Sequence, residues 1–241
     1  MLEVGAGQLL GHLAYFSARN RAIGIDMDVI AVGANPFQYL QMLRSNGMRR
    51  VAKTLGRKLT GFDRKFRREF VRVAGLKSWP HLNVQRMAAG DLSFASNSFD
   101  FVYSFEVFEH ISNPDAALEE IVRVLRPGGV ACISFQLYTG PFGALDYAGT
   151  AKIQGEPAWW GHLRPEFKDS IDFQSVLNRL RLNQWRQLFE VTMPHAKFHL
   201  SRVHAEDLEA HAKLLKGRGE LDDYSLDELL VDGATVIWKK E

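Results

Sequence analysis

The first eleven residues, MLEVGAGQLLG, constrain the fold more than any other stretch of the chain. A short apolar run ends at Glu3, and Gly5 and Gly7 follow it. Glycine suits a turn that lies against a ligand, because it has no Cβ and adopts positive φ freely. Apolar residues then recur at helical spacing, namely Leu9, Leu10, Leu13 and Ala14. The stretch predicts a strand, a nucleotide-binding turn, and a helix whose free N–H groups face the ligand.

A second buried strand is predicted over residues 22–25, and it ends at Asp26 with Asp28 just beyond. An acid at the end of such a strand can bind the two hydroxyls of a ribose. A dinucleotide-binding turn would also carry a third glycine, which is missing from the three residues after Gly7. The pattern therefore indicates a nucleoside ligand and argues against a bound pyrophosphate.

Four blocks in a fixed order resemble class I S-adenosylmethionine-dependent methyltransferases of the small-molecule type, with a type-11-like domain. They are LEVGAG, GID, DLSFASNSFDFVYSFEVFEHI and EEIVRVLRPGG, all within Leu2 to Gly129. The resemblance implies an α/β fold with a Rossmann-like, seven-stranded, mostly parallel sheet in the order 3-2-1-4-5-7-6. Its last strand is antiparallel, and helices lie on both faces. Helices usually precede the first strand in this family, and we expect them to be missing here.

The resemblance implies S-adenosyl-L-methionine as the cofactor, bound at the carboxyl ends of the strands. The cofactor-binding residues it implies are Glu3, Gly5, Ala6, Gly7, Asp26, Met27, Ala88, Ala89, Asp91, Ser104, Phe105 and Glu106. In relatives an acid four residues before Leu92 receives the adenine amine, but this chain has Ala88 there. The backbone donor at Ala89 is retained, and either Asp91 or water replaces the carboxylate. Loss of one such hydrogen bond costs about 1 kcal/mol.

The composition predicts one domain over residues 1–241, since 46% hydrophobic and 24% charged side chains suit a single full-sized core. A single cysteine, Cys132, excludes a disulfide within the chain and favours a reducing compartment. The sequence shows neither a leader nor a membrane-spanning stretch, which predicts a cytoplasmic protein. The eight histidines and scattered acids show no metal-ligand spacing.

Residues 36–77 exceed the helix and strand usual at this point and are predicted to hold a basic helical insertion. Within residues 44–77 twelve cationic side chains stand against two acids, a net charge of +10. Apolar residues interleave at spacings of three to five, which predicts amphipathic helices broken near Gly47 and Gly61. The stretch is either a solvated face or a docking site for an anionic substrate or membrane surface. No nucleic-acid-binding module accompanies the charge.

The remaining elements follow from hydrophobic periodicity and from turn residues. Strands are predicted from Leu82, over Phe99–Phe105, Val130–Phe135, Ala196–Ser201 and Ala234–Trp238. Helices are predicted over Pro114–Val124, Leu180–Phe189, Glu206–Leu215 and Ser225–Leu230. The acidic segment Glu220–Asp223 is expected to face the basic insertion, within one chain or across a homodimer.

Residues 138–180 follow the fifth strand and are predicted to be a substrate-side loop or cap. Their motif WWGHLRP, residues 159–165, is either an acceptor site with aromatic faces for a sugar-like ring or a packed loop. An oxygen nucleophile benefits from a histidine base, and His162 and then His110 are the candidates. The predicted function is methyl transfer from S-adenosylmethionine to an oxygen of a small-molecule or saccharide-type acceptor.

Two alternatives remain open beside this enzyme. One is a degenerate methyltransferase-like subunit that binds or assembles without catalysis, which the start at Met1 and the alanine at Ala88 suggest. The other is a NAD-dependent oxidoreductase, which would share the glycine turn and the acid after the second strand. Titration with the two cofactors separates all three functions.

Overall fold

The computed structural model of the protein describes residues 1–31, 35–143, 159–168, 176–202 and 206–241. Its strands are β1 (Leu2–Val4), β2 (Ile23–Asp26), β3 (Asn83–Arg86), β4 (Phe99–Phe105), β5 (Leu125–Gln136), β6 (Lys197–Arg202) and β7 (Val231–Lys239). Its helices are α1 (Gly11–Ser17), α2 (Pro36–Asn46), α3 (Met48–Leu59), α4 (Phe62–Val73), α5 (Pro114–Val124), α6 (Leu182–Thr192), α7 (Glu206–Gly217) and α8 (Leu226–Leu229). A 3-10 helix spans Phe108–His110.

The strands form one sheet in the order β3-β2-β1-β4-β5-β7-β6. Strands β1 to β5 pair in parallel, and β7 is antiparallel to both of its neighbours, β5 and β6. The predicted sheet order and the antiparallel last strand are therefore confirmed.

Successive residues of β4 face opposite sides of the sheet, as the pleat of a strand requires. Val102 is buried in the main core, which also holds Leu118 of α5 and Trp185 of α6. Tyr103 contacts Phe16 of α1, with ring centroids 4.6 Å apart. Helices thus cover both faces, as predicted, and the carboxyl ends of the parallel strands lie together at one end of the sheet.

Capping and turn residues at the ends of helices account for most of the agreement between the predicted and the observed elements. The Asn113 side chain caps α5 by accepting from the N–H of Ala116, and Pro114 occupies the first turn. Gly47 and Gly61 adopt φ of 79° and 72° and separate α2, α3 and α4, so the predicted breaks are confirmed.

Several boundaries differ from the predictions, and two of these differences have a local cause in the backbone. Leu10 adopts φ of 58°, a left-handed conformation, so α1 begins at Gly11 and Leu9 is left outside the helix. The fifth strand begins at Leu125, five residues before the predicted Val130, because the residues after α5 pair with β4 through an irregular register at Phe99.

Part of the predicted cap over residues 138–180 lies outside the described residues, namely 144–158 and 169–175. Within the part of the chain that the structure describes, no helix combines the length and apolar character needed to cross a bilayer.

Candidate active site

The glycine turn after β1 lies at the carboxyl ends of the parallel strands. Gly5 and Gly7 adopt φ of 78° and 63°, which favour glycine. A Cβ on Gly5 would lie 2.2 Å from Val107 Cγ2, so the turn packs directly against the segment after β4. A Cβ on Gly7 would meet none of the described atoms within 4 Å. Gly7 therefore borders open space, as a glycine beside a ligand must.

The N–H groups of this turn bind within the chain. Those of Gly5 and Ala6 both donate to the Ile25 carbonyl, at 2.9 Å each. The N–H of Gly7 donates to Asp26 Oδ2 at 2.9 Å. These three bonds fix the turn to the end of β2, so its shape is set before any ligand binds.

Asp26 ends β2, and two backbone donors hold its carboxylate. Oδ2 accepts from Gly7, and Oδ1 accepts from the N–H of Asp28 at 2.8 Å. Burial raises the pKa of Asp26, and these two N–H groups lower it in part. Each oxygen can still accept a further hydrogen bond, as binding of ribose hydroxyls requires. The next side chain, Met27, is 72% exposed and supplies an apolar surface at the same place.

The loop after β3 contains Ala88, Ala89 and Asp91 and is hydrogen-bonded to the end of β2. Ala88 is exposed and brings no carboxylate to the predicted adenine position. Hydrogen bonding to a neighbouring glutamate raises the pKa of Arg123 on α5, and the charge of Asp91 adds to this effect. The next residue, Leu92, donates its N–H to Glu120 Oε2 of α5 at 2.7 Å, so the loop is also held to α5.

The end of β4 supplies Ser104, Phe105 and Glu106. The buried Ser104 hydroxyl donates to the Val4 carbonyl at 2.9 Å and so joins β4 to β1. Phe105 lies against His12 of α1, with ring centroids 4.7 Å apart. Glu106 adopts φ of 54° and its side chain is exposed at the edge of the sheet. Of these three residues, Glu106 is therefore the one with a charge available to a ligand.

Four carboxyl groups near the carboxyl ends of the strands are buried or half-buried, and this burial raises the pKa of each. They are Glu3, Asp26, Glu109 and Asp232. The pKa of Glu3 rises to about 8, and its Oε2 has no hydrogen bond of normal geometry to the described residues. The charge of Glu106 contributes to the raised pKa of both Glu109 and Asp232. A bound cation would favour the ionised forms of these acids. Without such a cation, Glu3 keeps its proton at neutral pH.

His110 belongs to the 3-10 helix that follows β4. Its Nδ1 lies 2.9 Å from the carbonyl of Val176. Because a carbonyl can only accept, Nδ1 carries the proton and Nε2 retains a lone pair. Asn178 holds the 3-10 helix in place by donating to the carbonyls of Phe108 and Ile111 at 2.8 and 3.0 Å. The Val176 carbonyl and Asn178 therefore fix the position of His110 and of the 3-10 helix.

Glu109, beside His110, lines a small cavity of about 10 Å³ between β5 and residues 177–180. Its Oε1 accepts from the N–H of Gln136 at 3.3 Å, while its buried Oε2 has no hydrogen-bond partner among the described residues. A cavity of this size holds about one water molecule. The cavity therefore suits a bound water on Glu109 and is too small for an acceptor.

The motif WWGHLRP packs into a second, smaller core against α7 and α8, which we call the satellite core. Its buried members are Trp160, Leu163, Leu208, Ala212, Leu215, Leu221 and Leu229. Trp160 is fully buried and its indole N–H donates to the Leu229 carbonyl at 3.2 Å. His162 is 5% exposed, with Nε2 2.6 Å from the Tyr138 carbonyl, and burial lowers its pKa to about 4. The packed-loop alternative fits these residues, and the prediction that Trp160 faces a sugar is wrong.

Arg164 is also committed to the satellite core. Its side chain is 3% exposed, and Nε donates to Glu220 Oε2 at 2.6 Å. Glu220 of the acidic segment 220–223 therefore pairs within the satellite core and not with the basic insertion of the same chain. Within the described residues, the ion pairs of the insertion are formed with Asp28, Asp63 and Glu69 instead.

The site also contains residues that sequence reasoning did not single out as functional, namely His12, Glu109, Asn178 and Asp232. Glu109 and Asp232 carried a signal, since each is an acid within an otherwise apolar run, EVFEHI and VDGATVIW. His12 and Asn178 carried none, because their contacts depend on residues distant in sequence.

Known proteins resemble this chain in sequence over part of its length and in fold over all of it. A methyltransferase-domain family model matches residues 45–133. The fold is similar to that of phosphoethanolamine N-methyltransferase 2 of Haemonchus contortus, solved with S-adenosyl-L-methionine, with a TM-score of 0.52 and 17% identity over 100% of this chain and 48% of that one. The predicted resemblance to class I methyltransferases is confirmed. A methyltransferase of Methanosarcina mazei described as dependent on the same cofactor shows a TM-score of 0.50 and 16% identity over 99% of this chain and 91% of its own.

Sequence relatives of this methyltransferase-like chain match over a shorter range. An uncharacterized methyltransferase of Mycobacterium sp. strain JLS is 38% identical over 73 residues, which are 30% of this chain and 29% of the relative. One of Mycobacteroides abscessus is 41% identical over 79 residues, 33% of this chain and 30% of its own. The matches thus span less than a third of these relatives, and the similarity is concentrated in one part of the methyltransferase fold.

Proposed function

We propose that the chain binds S-adenosyl-L-methionine at the carboxyl edge of its sheet and transfers the methyl group to a small-molecule acceptor. The observation that carries this proposal is the hydrogen bond from the Gly7 N–H to Asp26. It joins a glycine that borders open space to a carboxylate oriented for ribose hydroxyls, beside the exposed Met27. The family match and the sheet order support the same ligand.

The residues at this edge fit the proposed cofactor. Asp26 would accept from the ribose hydroxyls, Met27 would lie against the adenine ring, and the backbone N–H of Ala89 would meet a ring nitrogen. The exposed carboxylate of Glu106 is complementary to the positive charge of a sulfonium. When bound, S-adenosylmethionine supplies an electrophilic methyl group on that sulfur. The chain itself would hold the acceptor in line with this group, which accounts for most of the rate in such a transfer.

An acceptor oxygen gains most from the groups that follow β4. As a hydroxyl oxygen formed its bond to the methyl carbon and the carbon–sulfur bond broke, the hydroxyl proton would pass to Nε2 of His110. The Val176 carbonyl orients that imidazole at 2.9 Å. His162 lacks this role in the proposal, because it lies behind Tyr138 in the satellite core. The saccharide-type acceptor loses its main support, since Trp160 is fully buried.

The proposal treats residues 1–241 as one cytoplasmic domain in which residues 36–77 provide a basic surface for an anionic partner. Residues 138–180 would form the acceptor side only in part, since residues 159–164 pack into the satellite core. The proposed oligomeric state is a homodimer.

A second candidate is a binding subunit that holds the cofactor without catalysis. Ala88 favours it, because the adenine position lacks its carboxylate. Loss of that hydrogen bond reduces affinity several-fold without abolishing it. Both candidates therefore predict cofactor binding, and turnover separates them.

Calorimetric titration tests the cofactor first. We expect heat of binding with S-adenosylhomocysteine and none with NADH, and the opposite result would support the oxidoreductase alternative. Incubation with methyl-labelled S-adenosylmethionine and a library of small hydroxylated compounds then tests transfer. Cofactor binding without label transfer to any fraction would favour the binding subunit.

A further inference from the structure

The helices of the basic insertion leave large apolar side chains exposed. Those on α2, α3 and α4 are Phe37, Leu40, Leu43, Met48, Leu55, Leu59, Phe62 and Val73. Apolar residues at helical spacing normally face a core, and single exposed ones need no explanation. Eight of them on three consecutive helices do, because clustered exposed apolar residues mark an interaction surface.

The clearest arrangement lies on α3. Met48, Ala52, Leu55 and Leu59 follow one another at spacings of four, three and four residues, which places them on one face of the helix. All four are exposed, Met48 at 75% and Leu59 at 87%. Thr54 is the buried residue of α3. The helix therefore turns Thr54 and the half-buried Val51 inward and leaves an apolar stripe toward solvent.

Cationic side chains flank this stripe. Arg49 and Lys53 on α3 are exposed, as is Arg44 at the end of α2. Residues 44–77 carry twelve cationic and two acidic side chains. A helix with exposed cations beside an apolar stripe suits the interface of an anionic bilayer. We use the name α3 face for the exposed side of α3, which consists of Met48, Arg49, Ala52, Lys53, Leu55 and Leu59.

Helix α3 is held near the carboxyl ends of the parallel strands. The Asn46 side chain at the end of α2 both accepts from the N–H and donates to the carbonyl of Val29, each at 3.0 Å. Arg50 of α3 pairs with Asp28 at 2.6 Å, two residues after Asp26. On the other side, Phe70 of α4 packs on Trp79, with ring centroids 5.8 Å apart. The insertion is therefore anchored to the loop that follows β2.

We propose that the α3 face docks this protein on an anionic lipid bilayer and so presents the carboxyl ends of the parallel strands to amphipathic acceptors held in that bilayer. The docking is independent of methyl transfer, and only the delivery of the acceptor rests on the proposed function. A nucleic acid would use the cations but would leave the apolar stripe in water. A second copy of the chain would offer the acidic segment 220–223, in which Glu220 is already paired with Arg164.

Vesicle flotation tests the docking. The protein is mixed with 100 nm vesicles of phosphatidylcholine alone or with about one third phosphatidylglycerol, at low and high salt. We expect at least tenfold stronger binding to the anionic vesicles at low salt, with most of the difference lost at high salt. Equal recovery with both compositions, or no recovery with either, would overturn the proposal.

Two double variants locate the surface. Leu55→Ser with Leu59→Ser should weaken binding at least tenfold, and Arg49→Glu with Lys53→Glu should do the same and remove the salt dependence. The matched apolar control is Val191→Ser with Leu214→Ser, exposed residues of α6 and α7. The matched charge control is Lys197→Glu with Lys239→Glu, exposed residues of β6 and β7. Both controls should bind as the wild type does.

Three outcomes would assign the α3 face to another role. Loss of binding in the control variants as well would show that the whole charge of the protein drives it. Concentration-dependent self-association in sedimentation velocity, abolished by Leu55→Ser with Leu59→Ser, would make a second copy the occupant. Tight binding to duplex RNA or DNA without vesicle binding would make a nucleic acid the partner. Calorimetry with S-adenosylhomocysteine on the same variants should give wild-type affinity, so failure of docking is distinguished from failure of the proposed function.

Discussion

The carboxylate of Asp26 accepts a hydrogen bond from the backbone N–H of Gly7 at 2.9 Å, although nineteen residues separate them. The bond makes the glycine turn and the end of β2 one unit. Asp28 completes it by donating its own N–H to the other oxygen at 2.8 Å. Any loss of Asp26 therefore acts on the shape of the turn as well as on a ligand.

Asp26→Ala should weaken S-adenosylhomocysteine binding by about 1.5 to 3 kcal/mol, because it removes a charged acceptor for ribose hydroxyls. Calorimetry measures the change. Asp28→Ala is the matched control, since the Asp28 carboxylate pairs with Arg50 near the surface, and it should change the affinity by less than about 1 kcal/mol. Equal affinities in wild type and Asp26→Ala would place the ribose anchor elsewhere.

The two glycines of the turn should respond differently to alanine. Gly5→Ala forces a Cβ to within 2.2 Å of Val107, so it should lower the melting temperature strongly. Gly7→Ala meets open space and costs only the left-handed conformation, about 1 to 2 kcal/mol. Its added methyl group projects where the ligand would lie, so it should reduce cofactor affinity more than stability. Similar melting temperatures for the two variants would contradict this packing.

Glu3 should make the stability of the protein depend on pH. Burial raises its pKa from 4.5 to about 8, so the folded state retains a proton that the unfolded state has released between those pH values. Stability is then lost as the pH rises through this window and is fully present below it. Glu3→Gln removes the loss and should gain up to about 4 kcal/mol over the wild type near pH 9, with little difference near pH 4. Melting curves of both proteins across this range measure the effect, and parallel curves would show that Glu3 is ionised when buried.

Much of the fold could be predicted because its signals are local. The run Phe99–Phe105 forms β4 with the predicted bounds, since a buried parallel strand reads as a continuous aromatic and β-branched stretch. Asn113 and Pro114 mark the start of α5 through their own side chains. The left-handed Leu10 could not be predicted, because a non-glycine residue with φ of 58° carries no sequence signal.

The site was less predictable, because burial depends on partners distant in the chain. The motif WWGHLRP fits an exposed acceptor site or a packed loop equally well. Its partners decide between them, and Leu229 and Glu220 lie 69 and 56 residues from Trp160 and Arg164. The same limit applies to α3, where helical spacing of apolar residues predicts an amphipathic helix but does not say which face meets solvent.

The two candidate histidines should separate in kinetics. His110→Gln should lower kcat by about 10²-fold or more once an oxygen acceptor is known, with S-adenosylhomocysteine affinity unchanged, because the oriented Nε2 lone pair is lost. His162→Ala should instead lower the melting temperature, since it removes a buried ring and its hydrogen bond to the Tyr138 carbonyl. Its kcat per folded molecule should stay near that of the wild type. The reverse pattern, a selective loss of turnover in His162→Ala and none in His110→Gln, would place the acceptor beside the satellite core and assign the base to His162.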